Sequence, residues 1–418
     1  MIAVTQRLEL FHRRNDMVGT VLVAGARTPI GKLGGALGSL SATELGAHAI
    51  RGVLAVAGLE PSAVDAVIMG NVVQAGVGPN PARQAAAAAS IPLTTPAVTV
   101  NNLCLSGLQA IIDADRLIRS GDADIVVAGG MESMTNAPYL ARGARVGFRY
   151  GAAALDDALD RDALICAFDD VSMGEATDRY VASTDLDRLQ QDDFAARSHQ
   201  FAAAATADGA FGDEIVPIVI ETRRGTTTVT DDEGIRAGTT AESLGKLSPA
   251  FLPDGSITAG TASQLSDGAA AVVLMRKDRA IELGIEWLAE LGASAFVSGP
   301  DTSLLNQPAN AITRALAKDR ELEVSDLDLI EINEAFAAVA LASIGTLGID
   351  SQKVNIHGGA IALGHPVGMS GARLSLSLAH SLRRRGGGVG AVALCGGGGQ
   401  GNALIMRSNT NTGIQALR

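Results

Sequence analysis

Two stretches of this 418-residue chain read alike when one is laid 263 positions behind the other. Leu59-Glu60-Pro61-Ser62-Ala63-Val64-Asp65-Ala66-Val67-Ile68-Met69 matches Leu322-Glu323-Val324-Ser325-Asp326-Leu327-Asp328-Leu329-Ile330-Glu331-Ile332 in order and residue type. At an offset of 264 to 266, Ser106-Gly107, a helical pattern and Asp124-Ile125-Val126-Val127-Ala128-Gly129-Gly130 are echoed by Ser370-Gly371, a helical pattern and Gly390-Ala391-Val392-Ala393-Leu394-Cys395-Gly396. Order, spacing and element type agree, so two copies of one unit are expected. Both copies contain continuous apolar runs bounded by glycine or charge, at Gly19 to Gly25, Ala66 to Met69, Ala97 to Val100, Ile125 to Ala128, Ala270 to Leu274, Leu329 to Ile332 and Ala391 to Cys395. Runs without polar alternation fit strands covered on both faces by helices, which makes this an α/β chain.

Residues 1–18 precede the first run and are expected to be an N-terminal extension. Residues 19–285 and 286–418 then form the two halves. The more polar and irregular stretch at about 131–265 is read as a loop domain inserted in the first half and covering a ligand. A formal net charge of −12, with no basic run longer than Arg383-Arg384-Arg385, argues against a nucleic-acid partner. The most apolar stretch, Ala335 to Ile349, is interrupted by Ser343, Gly345 and Gly348 and is shorter than the roughly 20 residues a bilayer requires. No membrane association and a cytoplasmic location are therefore expected, with Cys104, Cys166 and Cys395 kept as thiols.

Cys104 follows the run Ala97 to Val100 and precedes a helix-period segment (Leu108, Ile111, Ile112, Leu117, Ile118). A strand, a sharp turn and a helix put its sulfur at the positive end of the helix, where thiolate is favoured. Cys395 is read as the end of the last buried strand, opening onto Gly396-Gly397-Gly398-Gly399-Gln400-Gly401. Consecutive glycines let peptide N–H groups approach a ligand closely and act as oxyanion donors. Too few residues follow for a dinucleotide-binding fingerprint. Cys166 lacks such neighbours and reads as filler. His365 lies among glycine and proline in a rigid, non-helical loop, a candidate base. Asn333-Glu334-Ala335-Phe336 follows the strand Leu329 to Ile332, where Asn333 combines helix capping with a place at the sheet edge where ligands bind. No histidine pair has metal-ligand spacing with a third ligand nearby.

Asn102-Leu103-Cys104-Leu105-Ser106-Gly107, Asn333-Glu334-Ala335-Phe336, Gly364-His365-Pro366-Val367-Gly368 and Cys395-Gly396-Gly397-Gly398 together resemble the thiolase family, in its order and spacing, from about Val21 to the final glycine-rich loop. The resemblance implies the thiolase fold, a duplicated five-layer α/β/α/β/α architecture, assembled as a homodimer or homotetramer. It implies Cys104 as the acyl-carrying nucleophile, His365 as its activator and Cys395 as the acid/base for the α-proton. One oxyanion site would come from His365 with a water held by Asn333, the other from the backbone N–H groups of Cys104 and Gly397. Arg236, Ser243 and Ser263 would contact CoA, with Phe251, Ala335 and Phe336 as apolar lining and Met173 beside the acyl group. Acetyl-CoA, acetoacetyl-CoA and CoA would be the substrates and products, with no separate cofactor and no metal.

Gly364 to Gly371 is similar to the acetoacetyl-CoA branch, which implies acetyl-CoA C-acetyltransferase activity. Two departures stand against it: Ser172 replaces the His that short-chain members carry before Met173, and Gln264 replaces the small Gly after Ser263. The alternative is a broader-chain 3-ketoacyl-CoA thiolase of β-oxidation. A more remote one is a non-catalytic acyl-CoA or lipid carrier that keeps the pocket but not the reactive groups.

Overall fold

The computed structural model describes residues 19–409 except 223–224 and 320–321, so the expected extension at 1–18 lies outside the described residues. Nine strands make the main sheet: β1 (Thr20–Arg27), β2 (Ala66–Gly70), β3 (Ala97–Val100), β4 (Ile125–Ser133), β5 (Ser266–Arg276), β6 (Ala289–Ser298), β7 (Leu329–Ile332), β8 (Gly387–Gly396) and β9 (Gln400–Asn409). They lie in the order β7-β8-β9-β6-β1-β5-β4-β2-β3, with the short pair Gly31–Lys32 added on β5. In the first half β1 pairs antiparallel with β5 and β5 with β4, while β4, β2 and β3 run parallel. The second half repeats this: β6 pairs antiparallel with β9 and β9 with β8, β8 and β7 run parallel, and a parallel bridge from Ile330 to Val354 stands where β3 pairs with β2. The halves join through the β1 and β6 pairs Val21 with Glu290 and Leu22 with Ala289.

The principal helices are α1 (Ala42–Ala57), α2 (Pro81–Ala88), α3 (Ser106–Ser120), α4 (Met173–Val181), α5 (Arg188–Ala207), α6 (Gln307–Leu316), α7 (Ala337–Leu347) and α8 (Ser370–Arg384). Strand periodicity distributes them into layers. On β4, Val126 and Ala128 join a central core with Leu108, Ile111 and Ile112 of α3 and Leu374 and Leu378 of α8. Ile125 and Val127 face the other way, onto Leu45, Ile50 and Val53 of α1. On β9, Leu404 and Met406 point to the central core, and Ala403 and Ile405 to a third core with Ile312 of α6 and Ala340 of α7. The result is helix, sheet, helix pair, sheet, helix, with α3 and α8 in the middle. Each fully buried Leu or Ile in these layers contributes about 1.5–3 kcal/mol.

The repeated Ser-Gly pairs now have a physical reason. Ser106 and Ser370 are the first residues of α3 and α8. A Cβ on Gly371 would lie 2.2 Å from the Leu108 nitrogen, and one on Gly107 would lie 2.9 Å from the Gly368 oxygen. The two helices touch backbone to backbone at their N-terminal ends, so the loops entering them are brought side by side. Those loops carry Cys104 and His365.

Two expectations are corrected. Cys395 does not end the last buried strand, because β9 follows through the turn at Gly397 to Gly399, where Gly398 and Gly399 have φ of +75° and +70°. Asn333 does not cap α7: the cap position is Phe336, without a side-chain hydrogen bond. Among the described residues no helix is long and apolar enough to cross a membrane.

Candidate active site

Between β4 and β5 the chain leaves the sheet, and part of that excursion roofs a cavity of about 310 Å³. Cys104, His365, Cys395 and Gly397 line it together with Met173, Phe251, Ser263, Ala335 and Phe336. The two thiols and the imidazole, far apart in the chain, therefore meet in one space.

Cys104 reaches it from a tight turn ahead of α3. Leu103 has φ of +51°, a left-handed conformation that costs a bulky residue about 1–3 kcal/mol and needs outside support. Ser106 supplies that support: its hydroxyl donates to the Leu103 carbonyl at 2.6 Å and accepts from the Asn102 N–H at 2.8 Å. The Asn101 side chain accepts from the Leu103 N–H at 3.1 Å. The N–H groups of Cys104 itself and of Gly397 both hydrogen-bond toward the Cys104 sulfur. A Cβ on Gly397 would lie 2.4 Å from the Met173 methyl and 2.8 Å from a Leu103 methyl, so any side chain here would displace the cavity wall. These donors favour thiolate, but burial outweighs them and, with the Glu132 carboxylate, pushes the thiol up to about 11.

His365 is held on every side. Its N–H donates to the Gln264 carbonyl at 3.1 Å, Nδ1 lies 2.6 Å from the Ser370 hydroxyl, and Nε2 lies 3.3 Å from Nδ2 of Asn333. Burial, followed by the positive charge of Arg373, pushes the imidazole down to about 3, so it rests neutral. Asn333, fully buried just past β7, has no face on the cavity and acts on it through His365. Cys395 lies among Met173, Phe251, Phe336 and Leu304. Burial pushes its thiol up, and the neighbouring Cys104 pushes it further. Cys166, by contrast, is buried away from the cavity lining and donates to Asp169 at 3.3 Å.

The slot beside the thiols is built by pairing. Ser263 N–H donates to Ala335 O at 3.0 Å, and Ala337 N–H to Thr261 O at 2.8 Å. The rings of Phe251 and Phe336 meet edge to face, 6.0 Å between centroids. Arg236 and Ser243 lie outside the cavity lining and are exposed; Ser243 exchanges capping hydrogen bonds with Thr240.

Sequence reasoning did not find Met134, Ala163, Leu164, Leu265, Leu304 and Val367, which line the cavity together with Asp160, Gly174 and Ala262. Ala163 and Leu164 come from a single helical turn, Asp160–Leu164, and Met134, Leu265, Leu304 and Val367 from loops or strand edges, where no periodicity marks a face. The two departures are built in differently. Ser172 lines the cavity and caps α4 by accepting from Glu175 N–H at 3.1 Å. The Gln264 amide donates to the carbonyls of Gly234, Ile361 and Ala362, tying the insertion to the His365 loop. Glu132 was also missed. Its buried carboxylate accepts from Asn71, Val72, Val73 and Gly368 at 2.9–3.1 Å, so it clamps the His365 loop to the first half. Among the described residues no group of three or more His, Cys, Asp or Glu could hold a metal.

The chain matches the family model for the thiolase N-terminal domain over residues 20–278 and that for the thiolase C-terminal domain over residues 285–408. The chain belongs to the thiolase family. It is 56% identical over 394 residues to a probable acetyl-CoA acetyltransferase of Mycobacterium tuberculosis, covering 94% of this chain and all of that protein. It is 48% identical to the acetyl-CoA acetyltransferase of Pseudomonas aeruginosa, covering 93% and 99%. The structure superposes on the Bacillus anthracis acetyl-CoA acetyltransferase with a TM-score of 0.91 at 40% identity, covering 94% and 99% of the two chains. Human mitochondrial 3-ketoacyl-CoA thiolase gives 0.90 at 40% identity, covering 94% and 100%. As a thiolase the chain is an acyltransferase, with the fold expected from its sequence.

Proposed function

We propose that this thiolase is an acetyl-CoA C-acetyltransferase, interconverting two acetyl-CoA with acetoacetyl-CoA and CoA through an acetyl-Cys104 intermediate. The observation that carries the reading is the meeting of Cys104, His365 and Cys395 on one cavity, with two peptide N–H groups on the Cys104 sulfur. The names of the relatives support it.

The proton inventory closes over a full cycle. As the Cys104 sulfur attacks the thioester carbonyl, Nε2 of His365 takes its proton, and the oxyanion sits on the N–H groups of Cys104 and Gly397. The tetrahedral species collapses, and the departing CoA sulfur takes the Cys395 proton. With the acetylated Cys104 carrying no charge to oppose it, Cys395, left as thiolate, is then the base for the next step. It abstracts the methyl proton of a second acetyl-CoA, whose thioester oxygen faces the protonated Nε2. The enolate carbon attacks the acetyl group, Cys104 leaves as thiolate, and His365 returns the original proton. Arg236, Ser243 and Ser263 would bind CoA along the paired slot, the first two at its exposed end. No cofactor or metal enters any step. Assembly as a homodimer or homotetramer in the cytoplasm belongs to the same reading; β3, last in the sheet and partly exposed with Val98 on its surface, offers an open edge for a second copy.

A second reading, a broader-chain 3-ketoacyl-CoA thiolase, is favoured by Ser172, whose small side chain lines the acyl space with Ala163 and Leu164. Incubation with acetoacetyl-CoA and CoA should yield acetyl-CoA, and Cys104→Ala should leave no acyl-enzyme by intact mass. Unchanged turnover in that variant refutes the mechanism. A higher kcat/KM for 3-ketooctanoyl-CoA than for acetoacetyl-CoA would replace the first reading with the second.

A further inference from the structure

We propose that Ser370 is a positioning residue for His365: its hydroxyl keeps the proton of the resting imidazole on Nδ1, so that Nε2 alone gains and loses a proton. The inference rests on the proposed role of His365 as base. Ser370 Oγ lies 2.6 Å from Nδ1 and 3.0 Å from the Pro366 carbonyl oxygen. A hydroxyl has one proton, and a carbonyl can only accept. With that proton given to Pro366, Oγ faces Nδ1 with lone pairs, and Nδ1 must donate. Asn333 agrees with this assignment when its amide nitrogen is the atom 3.3 Å from Nε2, because Nδ2 can only donate and then faces a lone pair; its Oδ1 is buried without a hydrogen-bond partner among the described residues. The Ser370 geometry sets the tautomer, and Asn333 is compatible with it.

Ser370 is 1% exposed, and as the first residue of α8 its backbone N–H also bonds to Pro366 O, at 3.1 Å, which fixes the hydroxyl relative to the loop. Its counterpart in the repeat does the same work for the other loop. Ser106 opens α3 and donates to the Leu103 carbonyl in the turn that presents Cys104. Each half therefore uses the first serine of its central helix to hold a reactive loop. Ser106 holds the backbone of the nucleophile's turn, and Ser370 holds the side chain of the base as well.

The test is ¹⁵N NMR of histidine-labelled protein without substrate, with His365→Asn to assign the ring, beside initial rates for acetoacetyl-CoA thiolysis. The wild type should show the Nδ1–H tautomer at His365. Ser370→Ala should move the His365 shifts toward a tautomer mixture and lower kcat at least about 10-fold, the smallest loss seen when the partner orienting a metal-bound histidine is removed, with KM changed less than about twofold. Ser370→Thr, which keeps the hydroxyl, should restore both signals. An Nε2–H tautomer in the wild type overturns the proposal, even where a variant fails to fold. So do unaltered shifts and kcat in Ser370→Ala. A wild type with the expected tautomer but no thiolysis would instead sink the proposed function.

Discussion

Alkylation of Cys104 tests the central electrostatic argument, because iodoacetamide reacts with thiolate and not with thiol. The position before α3 and the two N–H groups favour the anion, and burial opposes it. The balance stands at about 11, against an ordinary value of 9.0. At pH 7 the thiolate fraction is then about 10⁻⁴, compared with about 10⁻² for an ordinary cysteine. His365, held near 3, cannot store the proton at rest, so no thiolate–imidazolium pair forms before substrate arrives. The rate of modification at Cys104, followed by peptide mapping between pH 6 and 9.5, should be about 100-fold below that of a free thiol at pH 7. It should rise about tenfold per pH unit without levelling. A fast, pH-independent rate from pH 6 upward would show a resting ion pair and would refute the claim that His365 acts only as the sulfur attacks.

The same burial makes His365 a source of acid sensitivity. Its folded value lies below the ordinary 6.5, so the unfolded chain binds the extra proton, and stability present above pH 6.5 is lost as pH falls toward 3. Between pH 5.5 and 4.5 the wild type should lose about 1.4 kcal/mol more than His365→Asn in urea unfolding; equal losses would count against a buried neutral imidazole. Gly371→Ala should cost about 3 kcal/mol, since the added Cβ meets Leu108 backbone, while Gly345→Ala on the open face of α7 should be neutral or stabilising. Similar thermal shifts in both variants would contradict the close contact of α3 with α8.

Strands with predominantly apolar runs were legible in the sequence. β3 and β7 match their apolar runs at both ends, and β4, β5 and β8 extend theirs. β6 and β9 were not legible. β6 is only half buried and is interrupted by Glu290, Gly292 and Ser294, and in β9 the apolar run Ala403 to Met406 makes up only four of ten residues, between a polar opening at Gln400-Gly401-Asn402 and a polar end. Asn333 misled for a related reason: an Asn after a strand signals a cap, but the chain stays non-helical up to an extended Phe336 while the Ala337 N–H donates to the Thr261 carbonyl, and the helix starts three residues late.

The reactive groups were more legible than the walls around them, and the repeat explains why. Glycine, proline and serine around Cys104 and His365 specify backbone geometry locally, whereas Leu164, Leu304 and Val367 reach the cavity only through long-range packing that no spacing encodes. Each half delivers one loop to the N-terminus of its central helix. Gly107 and Gly371 let those two ends touch, so matching Ser-Gly pairs at nearly constant offset already require that the residues just before them converge. Cys104 lies two residues before its pair and His365 five before the other; their meeting follows from the duplication itself, and Cys395, on the strand running back past α8, is the group that turns a shared loop junction into a site with two thiols.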